Sequence, residues 1–182
     1  MTETLAAITS RFSCRDFASD PVPPERLRSI VEAGVRAPSA HNRQPWRMVV
    51  LTKAEDIEQI DSTGMALLKE SDEAAHGRMM KRGGKLLYNA PAMVIIAAEK
   101  LDTPMPVAMD IGIAASHMVI AASSLGVNSC IVGVPKIAFK SGELVEKYIP
   151  EGFEFCVGVL LGYAKEPGTP HDIDSTKITY LS

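Results

Sequence analysis

Two polar clusters near the N-terminus hold the residues whose types and spacing favour chemistry. In the first cluster, Arg11, Ser13 and Arg15 alternate along the chain. In an extended segment, this spacing puts all three side chains on one side. Two guanidinium groups and a hydroxyl form a good clamp for a phosphate, because arginine binds phosphate oxygens in a bidentate manner. Two surface arginines that follow a helix explain the same pattern, and for this cluster alone that simpler interpretation is favoured.

The second cluster covers residues 36–46, R-A-P-S-A-H-N-R-Q-P-W, between a predicted helix and a predicted strand. Binding residues are common in loops at such positions. Ser39, Asn42 and Gln44 supply neutral donors and acceptors that suit the polar edge of a heterocycle. Two prolines make the loop rigid. A plain helix-to-strand loop capped by Ser39 is the alternative, and the cluster alone leaves both interpretations open.

Common motifs for other cofactors and for catalysis are missing. No G-x-G-x-x-G follows a strand, and the sequence around 83–85, G-G-K, lacks the spacing and the Ser or Thr of a P-loop. Cys14, Cys130 and Cys156 form no C-x-x-C pair, and the histidines form no H-E-x-x-H, so we expect no metal site. No serine has the context of a nucleophile elbow. The sequence therefore identifies no catalytic side chain.

Composition narrows the class of protein. The chain of 182 residues fits one domain, 1–182, with 46% hydrophobic and 23% charged residues. A formal net charge of −3 and the lack of a basic stripe argue against a nucleic-acid partner. Three separated cysteines suit a reducing compartment, and the N-terminus lacks the pattern of a signal peptide. We therefore expect a cytoplasmic protein.

The predicted helices come from apolar spacing and from start and stop residues. Pro24 is well placed to open a helix, and Thr52 with Glu55 forms a capping-box pattern. The region 64–88 is expected to be helical in pieces, with breaks near Gly77 and at Gly83-Gly84. The longest helix is expected to be buried rather than to span a membrane, because Asp110 and His117 interrupt its apolar run. The predicted helices are 2–11, 24–35, one starting near 52–55, 107–125 and 142–148.

The predicted strands are short apolar runs at 46–51, 91–98, 128–134 and 153–161. The run at 93–96 is continuous and apolar, which indicates a strand buried on both faces. Helices alternate with these strands, so a mixed sheet covered by helices is the natural architecture. The tail from Pro167 ends in an extended segment at 178–181. It is expected to dock as an arm, either on a second subunit or on its own domain.

Together the two clusters resemble the nitroreductase family of flavoproteins. The family opens with R-[RH]-S-x-[RK], which is R-F-S-C-R at 11–15 here, and continues with P-S-x-x-N-x-Q-P-W, which matches 38–46. The second match is highly specific. The resemblance extends to residues 110–112, 125–126, 132–134 and 161–163, and so covers nearly the whole chain. It implies an α+β nitroreductase-like fold, with a central mixed, mostly antiparallel sheet flanked by helices, in an intertwined homodimer with a C-terminal arm.

The resemblance also implies a cofactor, FMN, and an electron donor, NADH or NADPH. The run 11–15 would hold FMN through its phosphate, ribityl chain and pyrimidine edge. Pro38, Ser39, Ala40 and Asn42 would reach the FMN of the partner subunit. Arg36 is a further candidate contact, for which a plain helix-end arginine is nearly as good an explanation. The stretch 131–133 would lie against the isoalloxazine, with a backbone N–H near N5. The implied cofactor-binding residues are Arg11, Phe12, Ser13, Arg15, Arg36, Pro38, Ser39, Ala40, Asn42, Ile131, Val132 and Gly133.

Two departures from the family pattern concern the cofactor. Phe12 replaces the second basic residue of the opening run, which removes one polar contact. The arginine that usually follows Gly-Tyr in the tail is missing, and Lys165 and Lys177 are the nearest cations. The chain is also shorter than the long family members, so a reduced lid over the flavin is expected.

The function implied is hydride transfer from NAD(P)H through the flavin to a small electrophilic acceptor, such as a nitroaromatic or a quinone. One site that serves donor and acceptor in turn predicts ping-pong kinetics. The departures motivate an alternative, a flavin- or ligand-binding module without NAD(P)H turnover. A third possibility keeps the flavin but uses it for dehydrogenation or other redox chemistry.

Overall fold

The computed structural model describes residues 1–100 and 104–181, which form an α+β fold. Four strands make one sheet in the order β1-β2-β4-β3. The strands are β1 (Trp46–Leu51), β2 (Ala92–Glu99), β3 (Asn128–Val132) and β4 (Phe153–Gly162). The α-helices are α1 (Glu3–Ser10), α2 (Pro24–Val35), α3 (Ala54–Ser71), α4 (Glu73–Met80), α5 (Pro104–Ser124) and α6 (Gly142–Tyr148). Short 3-10 helices cover Ala40–Asn42, Val134–Lys140 and Ser175–Lys177.

The sheet is antiparallel, in agreement with the expected mostly antiparallel arrangement. All three ladders, β1 with β2, β2 with β4 and β3 with β4, run antiparallel. Within the described part of the chain, the parallel element is a single bridge between Ser13 and Ser129.

The predicted double burial of β2 is confirmed. Seven of its residues, 92–98, are buried, and alternate side chains enter two different cores. Met93 and Ile95 belong to the core beneath α3, α4 and α6, whereas Val94 and Ile96 belong to the core beneath α2 and α5. Each such side chain contributes about 1.5–3 kcal/mol by leaving water. The sheet is therefore the middle layer between two helical layers.

Helix α2 begins at Pro24, as predicted, and packs closely on α5. Its buried residues are Leu27, Ile30 and Gly34. A Cβ at Gly34 would lie 2.5 Å from the Met118 Cγ atom on α5, so any larger residue would force the buried Met118 side chain to move. The close fit fixes one face of α5 against the core, while its opposite face is exposed.

Helix α5 is the longest helix, as predicted. By length and composition alone it could cross a membrane, but 44% of its segment 107–124 is buried inside the chain. Ala114, Ala115 and Met118 face the core. Met109, Gly112 and Ser116 are exposed along the other side. The expectation of a buried helix thus holds for one face of α5.

The predicted boundaries between residues 52 and 88 are partly wrong. Thr52 does not cap α3; Lys53 occupies the N-cap position and makes no side-chain capping bond. Gly77 lies inside α4, and the break comes earlier, at Asp72, whose carboxylate accepts the Ala75 N–H at 2.8 Å and caps α4. The predicted break at Gly83-Gly84 is confirmed, because both residues have positive φ angles, 98° and 70°.

The C-terminal tail does not bury its apolar side chains on its own domain. Ile173, Tyr180 and Leu181 are 82%, 89% and 94% exposed, respectively. Residue Ile178 has an extended backbone, with φ −119° and ψ 125°, but the described residues contain no strand there. The alternative in which the tail packs on its own domain is therefore wrong for these side chains.

Candidate functional site

The first polar cluster lies beside the open edge of the sheet. Helix α1 is fixed to α5 because the Ser123 hydroxyl donates to the Ala7 carbonyl at 2.9 Å. The chain becomes extended at Arg11, with φ −64° and ψ 133°. It then pairs with β3, where the Cys14 N–H donates to the Ser129 carbonyl at 3.0 Å. The extended segment predicted from the alternating pattern is present.

Alternation along this segment separates its polar and apolar side chains. Cys14 is buried, whereas Arg11 and Ser13 are half-buried and Arg15 is exposed. Burial raises the pKa of the Cys130 thiol on β3, while the positive charges of Arg15 and Arg11 act in the opposite direction. Both guanidinium groups therefore lie close enough to β3 for their charges to act on the pKa of Cys130.

Two adjoining cavities open at this segment. The first has a volume of about 290 Å³, and the second, of about 220 Å³, shares Arg11 and Ser129 with it. Their surfaces are rich in hydroxyl groups around one guanidinium. The first cavity is lined by Arg11, Ser13, Ser116, Val119, Ser129 and Ile131. The second is lined by Ser10, Arg11, Phe12, Ser123, Gly126, Val127, Asn128 and Ser129.

The outer edge of β3 supplies backbone groups next to these cavities. The Ser129 carbonyl points away from β4, toward Cys14. Because backbone groups alternate in direction along a strand, the N–H and C=O of Ile131 point the same way, away from β4. The Ile131 side chain is 45% exposed. A Cβ at Gly133 would meet nothing within 4 Å, so the strand ends beside open space.

The Phe12 ring has a packing role that the sequence pattern does not reveal. It packs against the core beneath α3. It also covers Gly168, where a Cβ would lie 2.1 Å from ring carbons. Lys165 is bound next to it, because its Nζ atom lies 2.8 Å from the Asp16 carboxylate. These two contacts fasten the start of the tail to the chain around Phe12 and Asp16. Lys177, the other candidate cation, instead lies 3.8 Å from Asp174.

The second polar cluster forms a strained loop. His41, Asn42 and Gln44 have φ angles of 53°, 54° and 51°, respectively, in the left-handed region. Such a conformation costs about 1–3 kcal/mol per residue for most side chains, so it must be held by bonds. The Ser39 hydroxyl accepts the Gln44 N–H at 2.9 Å, and the Gln44 amide donates to Asn42 at 3.0 Å. Ser39 therefore closes this loop and does not cap α2.

Asp110 holds this loop to α5, a contact that the sequence pattern did not predict. Its carboxylate is buried and accepts the Ala40 N–H at 3.0 Å. The only sequence feature that could have indicated this contact is that Asp110 interrupts an apolar helix. Pro38, Ala40 and Asn42 remain exposed, as does Arg36 at the end of α2.

One chain does not bring the two clusters into one cavity. Arg11, Ser13 and Ile131 meet at the same cavity, and Val132 and Gly133 follow on the same strand. No residue of the loop 36–42 lines either cavity at Arg11. The loop contacts α5 at Asp110, whereas the cavities contact α5 at Ser116, Val119 and Ser123.

Other polar groups fasten the helices and supply no reactive cluster. Asp61 on α3 is buried and accepts the Leu87 N–H at 2.7 Å, with the Lys85 Nζ atom 3.7 Å away. Burial raises the pKa of Asp61. Among residues 1–100 and 104–181, no group of three or more His, Cys, Asp or Glu side chains could hold a metal ion.

Comparison with known proteins gives one consistent result. The model of the Nitroreductase family matches residues 8–160. A protein of Archaeoglobus fulgidus, provisionally named an NADH dehydrogenase/NAD(P)H nitroreductase, is 29% identical over 96% of this chain and 92% of its own length. The FMN reductase [NAD(P)H] of Bacillus subtilis is 25% identical over all of this chain and 76% of its own length. A Desulfitobacterium hafniense nitroreductase solved with bound FMN is 38% identical, with full coverage of both chains and a TM-score of 0.92.

Proposed function

The chain belongs to the nitroreductase family and is an NAD(P)H-dependent flavin oxidoreductase whose cofactor is FMN, and on this premise we propose how its residues bind FMN and what it reduces. The observation that carries the proposal is the pair of cavities where Arg11 and Ser13 meet the open edge of β3. We assign the whole chain, 1–182, to one FMN-binding domain.

The residues present fit the chemical parts of FMN. A phosphate suits the guanidinium group of Arg11, which lines both cavities, with that of Arg15 exposed on the same segment. A polyol chain suits the serine hydroxyls that line both cavities. A flat heterocycle suits the edge of β3, where Ile131 is exposed and the space beside Gly133 is open. Val132 would support that edge from the core. Because the Phe12 ring covers Gly168, Phe12 would contribute through its backbone.

The loop 36–42 would complete the site of a second copy. Pro38, Ser39, Ala40 and Asn42 do not line the cavities of their own chain, so a site that uses both clusters requires two chains. The exposed, small-residue side of α5 offers a surface for close helix contact, and the apolar tail offers an arm. We propose an intertwined homodimer in which Arg36 adds a positive charge at the shared site.

The protein positions its reactants and carries out no acid–base step of its own. When bound, FMN would supply the hydride-transfer chemistry that links NAD(P)H to the acceptor. The residues that line the two cavities include no carboxylate, histidine or lysine. The guanidinium groups of Arg11 and Arg15 favour bound negative charge, and the outward N–H of Ile131 on β3 would add a backbone donor. Protons would therefore come from solvent.

The acceptors would be small electrophiles such as nitroaromatics or quinones. Donor and acceptor would use the same cavity in turn, which gives ping-pong kinetics. The three cysteines are free thiols, which supports a cytoplasmic location. Neither a nucleic acid nor a membrane is required by this proposal.

A titration without oxygen tests the proposal. The purified protein should show a bound-flavin spectrum that bleaches with NADH or NADPH and recovers when a quinone or nitroaromatic is added. Steady-state rates with both substrates varied should give parallel double-reciprocal lines. Bound flavin that neither donor reduces would refute the assigned turnover and favour a binding module.

Arg11 offers a residue-level test. Arg11→Ala removes one guanidinium from both cavities and should weaken FMN binding by about 10-fold or more, since hydrogen bonds to charged groups contribute about 1.5–3 kcal/mol. Arg28→Ala, at an exposed position on α2, is the control. An unchanged dissociation constant for FMN in Arg11→Ala would refute the clamp.

A further inference from the structure

A further cavity, larger than either flavin cavity, lies apart from them. It has a volume of about 500 Å³ and lies between α6, the 3-10 helix Val134–Lys140 and the first residues of β4. It shares no lining residue with the two cavities at Arg11. Its volume falls in the range of about 300–1,000 Å³ that is usual for small-molecule sites.

The walls of this cavity are apolar and largely aromatic. The Phe139 and Phe155 rings stack with centroids 4.6 Å apart and an interplanar angle of 14°. Phe153 adds a third ring, and Ile137, Val145 and Ile149 complete the wall. Flat rings on the walls favour a flat ligand, because aromatic groups gain from offset or edge contacts in addition to area burial.

The rim of the cavity is positively charged. Lys100, Lys136 and Lys140 line it against a single acid, Glu154. Within residues 1–100 and 104–181, neither Lys136 nor Lys140 makes an ion pair, and both are exposed. An apolar pocket with unpaired cations at its mouth complements a ligand that has an apolar body and an anionic end.

We propose that this cavity binds a small aromatic carboxylate of one or two rings, separately from the flavin site. The ring would lie among Phe139, Phe153 and Phe155, and the carboxylate would face Lys136 and Lys140. Glu154 would oppose the carboxylate. This binding site does not depend on the residues assigned to FMN.

Calorimetric titration of the FMN-loaded protein with naphthalene-2-carboxylate tests the proposal, with the neutral naphthalene-2-carboxamide as its charge control. Each exposed charge pair contributes about 1.5–5-fold in affinity, so the double variant Lys136→Gln/Lys140→Gln should bind the carboxylate about 2–30-fold more weakly. The same variant should bind the amide unchanged. Glu154→Gln should bind the carboxylate more tightly.

Two controls locate the probe. The double variant Lys69→Gln/Lys81→Gln makes the same charge change at exposed positions outside the cavity and should leave the affinity unchanged. Val145→Phe fills the cavity and should abolish binding, while the spectrum of the bound flavin stays as in the wild type.

Three outcomes would overturn the proposal. One is a failure of the carboxylate to bind at millimolar concentration. Another is competition between the carboxylate and NADH, which would place the probe at the flavin. The third is an equal affinity of the wild type, the Lys136→Gln/Lys140→Gln variant and Val145→Phe.

Discussion

Asp110 should control FMN affinity from outside the flavin cavities. Its buried carboxylate accepts the Ala40 N–H at 3.0 Å and holds a loop that contains three residues with positive φ. A hydrogen bond to a charged group contributes about 1.5–3 kcal/mol, and we expect about half of this in Asp110→Ala, because water can reach the exposed Ala40 N–H. If the loop 36–42 completes the site of a second copy, this loss corresponds to FMN binding weakened by about 3–10-fold.

The assay is a fluorescence titration of FMN with each apoprotein, together with thermal unfolding of the apoproteins. Asp110→Asn keeps an oxygen that can accept the Ala40 N–H and should lose less affinity than Asp110→Ala. Asp20→Ala removes an exposed acid that precedes α2 in the chain, and it serves as the control. If Asp110→Ala melts at a lower temperature but binds FMN within twofold of the wild type, the loop takes no part in the flavin site.

Three other substitutions test separate parts of the structure. Gly133→Val should weaken FMN binding while the apoprotein keeps its melting temperature, since a Cβ there meets nothing within 4 Å; unchanged FMN affinity would remove this strand end from the site. Gly112→Ala should stabilise an isolated chain by about 0.5–1 kcal/mol through helix propensity, but should weaken a homodimer that packs closely on α5, as sedimentation would show. Because burial raises the pKa of Asp61 above 3.8, its contribution to stability is greatest below that pH and is lost as the pH rises through the raised value. Urea unfolding from pH 3.5 to 7 should therefore show a smaller pH dependence for Asp61→Asn, and parallel curves would contradict the assignment.

Elements with a strong local pattern could be predicted from the sequence. The continuous apolar run in β2, the Pro24 start of α2 and the long apolar α5 all formed as expected, since burial and backbone chemistry act within a few residues. The capping box at Thr52 failed because Thr52 directly follows β1, which leaves Lys53 at the N-cap position. Local propensity was overridden by the end of a strand.

The candidate site was predictable as two motifs but not as an arrangement. The bond from Ala40 to Asp110 and the contact between Phe12 and Gly168 join residues that are far apart in the sequence. No local spacing encodes such contacts, because they depend on how the layers pack. The division of the motifs between two places in one chain is likewise a property of the fold.

Helix α5 sets the distance between the two polar clusters within one chain. It holds the loop at Asp110 and the N-terminal segment at Ser123, about 20 Å apart at 1.5 Å per residue. Inserting one residue between them would turn one attachment by about 100° relative to the other, whereas inserting four would turn it by only about 40° and lengthen the helix by about 6 Å. Length changes in this helix should therefore be tolerated best in steps of whole turns, while the loops at either end can vary more freely.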